Sequence, residues 1–196
     1  MGYIYYLMGK SASGKDSIYR SLIGDTDLKK IIIYTTRPKR YGETDGEDYH
    51  FTDEKEYESI RLKGRIIEER LYETAEGPWR YFTVDDGSFD EDRGDLLGIG
   101  TPESFIQLQQ HFGKDRVRPI YIEVEDGERL SRALERERSQ SEPKYREMCR
   151  RFLSDCEDFS EEKLAAAGIT KRFENNDIKR CIEEIKEYIA DGYKGK

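Results

Sequence analysis

GKSASGKDS, residues 9–17, lies between two stretches of different periodicity. Residues 3–8 before it are apolar and β-prone, and residues 17–23 after it carry apolar side chains at helical spacing. A strand that runs through a glycine loop into a helix makes a site for one anion, because backbone N–H groups and the helix dipole converge there. The G-x-x-x-x-G-K spacing puts Lys15 within reach of the β- and γ-phosphates of a nucleoside triphosphate. Gly9, Ser11, Ser13, Gly14, Lys15, Asp16 and Ser17 are therefore the expected ATP-phosphate ligands, with Lys15 also catalytic. Asp16 departs from the pattern, since a serine or threonine hydroxyl normally follows the lysine. A carboxylate beside phosphates repels them unless a cation intervenes, so Asp16, with Ser17, is expected to anchor Mg²⁺ directly or through a water. The alternative is a first-turn acid that points away and is favoured by the helix dipole.

Beyond this loop the apolar runs at residues 31–34, 96–99 and 117–124 read as strands, the first so continuous that burial on both faces is expected. PESFIQLQQHF (102–112) reads as a helix between the last two. This βαβ rhythm predicts an α/β fold: a P-loop NTPase-type parallel sheet flanked by helices. Residues 35–93 differ in texture, with a loop, a helix around Tyr57, and two alternating runs, IIEERLYE and WRYFTV, that suggest an inserted small mixed or antiparallel acceptor-binding subdomain. Residues 128–157 hold seven arginines on two helical stretches broken around SQSEP, either a solvated helix pair or a mobile arginine-bearing lid. A single domain is expected over 1–196, with its core at 1–34, 94–127 and 158–196, and residues 177–188 form a docking helix.

Composition narrows the function. A net charge of −8 disfavours a general nucleic-acid binder, which relies on surplus lysine and arginine. Fourteen tyrosines and eight phenylalanines supply apolar faces that a disordered chain lacks. No signal peptide or 18-residue apolar run is visible, so neither export nor a membrane span is expected. Cys149, Cys156 and Cys181 lack metal or disulfide spacing and fit packing residues in a reducing cytoplasm.

TTRPKRYGETDGEDYHF (35–51) identifies the acceptor side. Arg37 and Arg40 flank Pro38 and Tyr49 follows, a set suited to a dianionic phosphate because arginine binds it through two nitrogens and tyrosine adds a neutral donor. This segment resembles the acceptor motif of the guanylate kinase family nearly position for position, and the resemblance extends from residue 9 to FENNDI (173–178). It implies transfer of the γ-phosphoryl group of ATP to GMP or dGMP with Mg²⁺. It also implies that Arg37, Arg40, Tyr49 and Tyr81 hold the acceptor phosphate, that Glu68 and Thr83 read guanine, and that Asn175 lies on the adenine side. Arg136 or Arg138, together with Arg151, matches the family's transition-state arginines, and the protein is expected as monomer or homodimer. Three departures stand out. Ile33 replaces a base-binding serine, Gly98 and Gly100 replace an acidic pair at a strand end, and an acidic link (85–95) replaces a helix. Two other readings remain: GKDS also resembles ribose bisphosphate phosphokinases, which would change the acceptor, and guanylate kinase-like modules bind phosphopeptides without catalysis.

Overall fold

The computed structural model describes residues 2–74 and 77–194. Among the described residues nine strands form two sheets. Five are all parallel, in the order β2 (Lys29–Lys30), β7 (Leu96–Gly100), β1 (Ile4–Gly9), β8 (Val117–Glu123) and β9 (Arg172–Glu174). β1 is central and wholly buried, and its alternation divides the core. Tyr5 and Leu7 face Ile18 and Leu22 of α1 (Lys15–Asp25) and Cys181, Ile185 and Ile189 of α7 (Ile178–Lys194). Ile4, Tyr6 and Met8 face Phe105 and Leu108 of α3 (Pro102–Phe112) and Leu164 of α6 (Glu161–Ala166). Helices on both faces explain why these strands are apolar without interruption.

The second sheet is mixed, ordered β4 (His50–Phe51), β3 (Tyr34–Thr35), β6 (Gly77–Val84) and β5 (Ile66–Thr74). Only β3 and β4 pair in parallel. Phe82 and Val84 pack under Tyr57 and Ile60 of α2 (Glu54–Leu62), which Asp53 caps by accepting from the Glu56 N–H. α4 (Asp126–Arg138) and α5 (Tyr145–Asp158), which pack on each other, lie in the segment expected to form a lid.

Two expectations need correction. The run at 31–34 is not a buried strand of the parallel sheet. The strand there is the exposed Lys29–Lys30 pair, and Tyr34 already pairs with Phe82 in the second sheet, so the core ends earlier than 34. The run is apolar because it joins the two sheets: Ile31 packs against the core edge while Ile33 lines the cleft between them. The cysteines are not uniformly packing residues either, since Cys181 is buried but Cys149 is exposed.

Candidate active site

The sheets flank a cleft of about 780 Å³. The glycine loop closes one end, where β1 delivers Gly9 and α1 begins at Lys15. Gly14 is the N-cap with φ 84, and a Cβ there would meet Asn175 Nδ2 at 2.4 Å, so both the left-handed backbone and the close approach demand glycine. Asn175 is buried; its amide donates to the Ser13 carbonyl at 2.7 Å, and its own carbonyl accepts from Arg132 Nη2. It therefore braces the loop, a position different from the adenine-side one expected. Its neighbour Asn176 instead lines a separate cavity of about 470 Å³ with Lys10, Tyr121, Glu123, Asp126, Glu161 and Glu174.

Lys15 and Asp16 line the cleft, whereas Ser17 is exposed on the same turn and is not among its lining residues. Ser13 is buried with its hydroxyl lacking a hydrogen-bond partner. The backbone N–H of Ser11 donates to Asp155 Oδ2 of α5 at 2.7 Å. Around this contact Arg129, only 1% exposed, donates to the Ser11 carbonyl and to Asp126 Oδ1, and its guanidinium lies over Phe152. The Arg129 hydrogen bond is the main cause holding the Asp126 carboxyl below the ordinary range.

At the opposite end Arg40, Tyr49 and Tyr81 line the cleft. Arg37 is 3% exposed and its side chain makes four hydrogen bonds: it donates to both Glu43 oxygens, at 2.6 and 3.1 Å, to Tyr81 Oη and to the Pro38 carbonyl. The Arg37 hydrogen bond holds the Glu43 carboxyl low, and the same carboxylate accepts from the Arg40 backbone N–H. Glu43 thus orders the turn that carries both arginines. Arg37, Lys39, Arg40, Lys144, Arg151 and Trp79 also line an adjoining cavity of about 430 Å³.

Between the ends stands one face of the β5–β6 hairpin, where Glu68 is opposite Thr83, Arg70 opposite Tyr81 and Tyr72 opposite Trp79. Glu68 and Thr83 are buried, and the Thr83 hydroxyl donates to Glu68 Oε1 at 2.6 Å. Arg70 and Tyr72 form the cleft wall in front of them. Burial opposes charge on Arg70, but Tyr6, Glu68 and Tyr72 more than offset it and raise its pKa above the ordinary arginine value.

The lid arginines need a further correction. Arg136 and Arg138 are exposed and outside the cleft lining, because α4 buries the stripe Arg129, Ala133 and Glu137 and leaves the positions beside Glu137 outside. Arg150 and Arg151 of α5 line the cleft instead. Both donate to Glu147 Oε1, at 2.8 and 2.9 Å, and the Arg150 hydrogen bond followed by that of Arg151 brings Glu147 down to about 2. Sequence reasoning missed Arg70, Arg150 and Asp155. The signals were available: Arg70 shares the strand face of Glu68 two residues on, and Asp155 follows Arg151 by one helical turn.

The Guanylate kinase family model matches residues 2–192. The chain is 26% identical over 197 residues to a guanylate kinase of Zymomonas mobilis, across 96% of this chain and 83% of that one. Identity is 30% over 126 residues with a guanylate kinase of Bacillus cereus, a segment equal to 63% of this chain and 49% of that protein. A crystal structure of guanylate kinase from Anaplasma phagocytophilum superposes with a TM-score of 0.65 at 18% identity, covering 97% of this chain and 85% of that one, a likeness of fold.

Proposed function

The chain belongs to the guanylate kinase family, and from that premise we propose that it transfers the γ-phosphoryl group of ATP to GMP, forming ADP and GDP. One observation carries the reading: a single cleft is lined by Lys15 of the glycine loop, by Arg40, Tyr49 and Tyr81 of the acceptor segment, and by Arg150 and Arg151 of the lid. The loop N–H groups and Lys15 bind the ATP phosphates, and the carboxylate-rich cavity beside Lys10 accepts hydrogen bonds from the adenine amine. Arg40, Tyr49 and Tyr81 fix the acceptor phosphate, with Arg37 holding Tyr81 in place. Glu68, its Oε1 held by the Thr83 hydroxyl, reads the base.

Phosphoryl transfer requires in-line placement and neutralised charge more than covalent help. Lys15 neutralises charge on the donor side, and Arg150 and Arg151 enter from the lid to cover the transferring group. The donor set fits Mg²⁺, because Asp16 offers a hard oxygen in the cleft and the ion needs few protein ligands when substrate phosphates and waters supply the rest. Bound Mg²⁺ would neutralise phosphate oxygens of ATP.

A coupled ADP-release assay with Mg·ATP against GMP, dGMP, AMP, CMP, UMP and ribose 1,5-bisphosphate tests the reading. Selective turnover of GMP or dGMP is expected. Turnover of another acceptor would reassign the cleft, and silence from folded protein would remove the kinase reading.

A further inference from the structure

Glu68 and Arg70 leave the same face of β5 two residues apart, Arg70 opposite Tyr81 and Glu68 one pair farther along, opposite Thr83. Glu68 Oε1 is satisfied by Thr83, whereas Oε2 and Arg70 Nε form an ion pair at 3.3 Å in which neither atom makes a hydrogen bond. Both are buried, where an unmet polar atom is costly. The pair stands at the cavity wall: the Arg70 side chain, 13% exposed, lines the cleft, and a ligand reaches the fully buried Glu68 carboxylate only where the Arg70 side chain turns aside to admit it. A donor and an acceptor left side by side match a ligand edge that presents an acceptor and a donor side by side. Neighbouring groups do not supply that donor. The Thr83 hydroxyl is committed to Glu68, the Tyr6 hydroxyl meets Ser104 Oγ at 2.9 Å, and Ile33 and Gly100 have none to give.

We propose that Arg70 is a specificity-determining residue for the acceptor base, donating to O6 of a 6-oxopurine while Glu68 Oε2 accepts from N1–H. The assignment rests on the reading of this cleft as a GMP site and names how the base is chosen there. Arg70 neighbours the phosphate-binding Tyr81, so an acceptor held by its phosphate presents its edge in one order only. Guanine then places O6 at Arg70 and N1–H at Glu68. Adenine in the same seat turns its N6 amine toward the guanidinium and its bare N1 toward the carboxylate, two repulsive contacts. A pyrimidine with the same edge groups is shorter by a ring and falls short of the wall. The donor missing at position 33 is thereby replaced by an arginine of β5.

The test uses the whole chain with Mg·ATP and four acceptors: GMP, IMP, AMP and 2-aminopurine riboside monophosphate. IMP keeps O6 and N1–H and is expected to hold kcat/KM within about tenfold of GMP, whereas the 2-aminopurine nucleotide, which lacks both, falls about a hundredfold or more. Arg70→Met is expected to raise the KM for GMP by about tenfold to a hundredfold and to shrink the GMP-to-AMP preference by the same factor, with the KM for ATP unchanged. Arg70→Lys keeps the charge without the planar fork and falls between. If Arg70→Met does not fold, Arg70→Leu takes its place with the same expected and overturning outcomes. A folded Arg70→Met with GMP kinetics within about twofold of the parent overturns the Arg70 assignment and leaves GMP kinase activity standing. So does equal turnover of IMP and the 2-aminopurine nucleotide by the parent. A parent that ignores GMP and phosphorylates another acceptor overturns the functional reading and this assignment together.

Discussion

On β1 the Tyr6 ring occupies the space that side chains at 98 and 100 would need. A Cβ on Gly98 would lie 2.7 Å from Tyr6 Cδ2, and one on Gly100 would lie 2.1 Å from Tyr6 Oη and 2.7 Å from Ser104 Oγ. The strand-end acids are therefore absent for a packing reason, and a carboxylate cannot return to either site while the ring stands there. Gly100→Ala is expected to cost about 1–3 kcal/mol in a urea titration, and Tyr6→Leu in the same background is expected to recover part of that loss. The pair should depart from additivity by at least about 0.5 kcal/mol; strictly additive midpoints would show that the ring is not the obstacle. With 98 and 100 filled by Tyr6, Asp16 is the carboxylate next to Lys15 in sequence among those that line the cleft, which also include Asp155 and Asp158. Asp16→Ser is expected to lower kcat by about tenfold and to raise the Mg²⁺ concentration needed for half-maximal rate. If both stay within about twofold of the parent, Asp16 is only a first-turn helix acid.

α5 carries opposed charges one turn apart, with Arg150 and Arg151 facing the cleft and Asp155 seated on the loop N–H of Ser11. On the proposed reading of the loop as a phosphate site, phosphate and the Asp155 carboxylate compete for that N–H, and ATP binding is expected to displace this contact between α5 and the loop. Removing the competitor by Asp155→Ala is expected to tighten Mg·ATP binding by about three- to tenfold in a fluorescence titration, the worth of one charge-assisted hydrogen bond; unchanged or weaker binding would show that Asp155 positions the loop instead. Glu147 sets the arginine pair from the same helix. Its carboxyl is depressed in the folded protein, so its contribution to lid order is fully present above the ordinary glutamate range and is lost as pH falls toward about 2. A ¹³C carboxyl titration should find the Glu147 midpoint well below the ordinary glutamate range; a midpoint near the ordinary value of about 4.3 would show that the arginines are not held there. These elements were unequally legible. β1, the glycine loop and α3 declare themselves because local periodicity and tertiary burial agree there. Residues 31–34 mislead because a linker packed between two sheets is as apolar as a strand. Arg136 and Arg138 mislead because spacing along a helix does not reveal which side faces the cleft until the buried stripe through Arg129 and Glu137 is known.

A net charge of −8 describes the whole chain and hides how its charge is distributed. The cavity beside Lys10 is lined by Glu123, Glu125, Asp126, Glu161 and Glu174, while the one beside the acceptor segment is lined by Arg37, Lys39, Arg40, Lys144 and Arg151 without a carboxylate. Composition alone cannot show this, because acids and bases that alternate along the sequence are sorted to opposite ends only when the sheets and lid come together. On the proposed reading, the basic cavity is expected to draw in the dianionic acceptor, and the acidic one to face the uncharged base of ATP. Charges in a cleft act over a screening length of about 10 Å at 0.1 M salt, so added salt weakens the pull on an approaching acceptor before it affects one already bound. Raising NaCl from about 50 to about 500 mM is expected to increase the KM for GMP by about threefold or more, with a smaller change for ATP, whose phosphates are gripped mainly by loop N–H groups. Lys39→Glu and Lys144→Glu, which invert charge at the rim of the basic end, should raise the KM for GMP at low salt and flatten its salt dependence. Equal salt sensitivity for the two substrates, unaffected by these substitutions, would mean that the field at this end does not guide the acceptor.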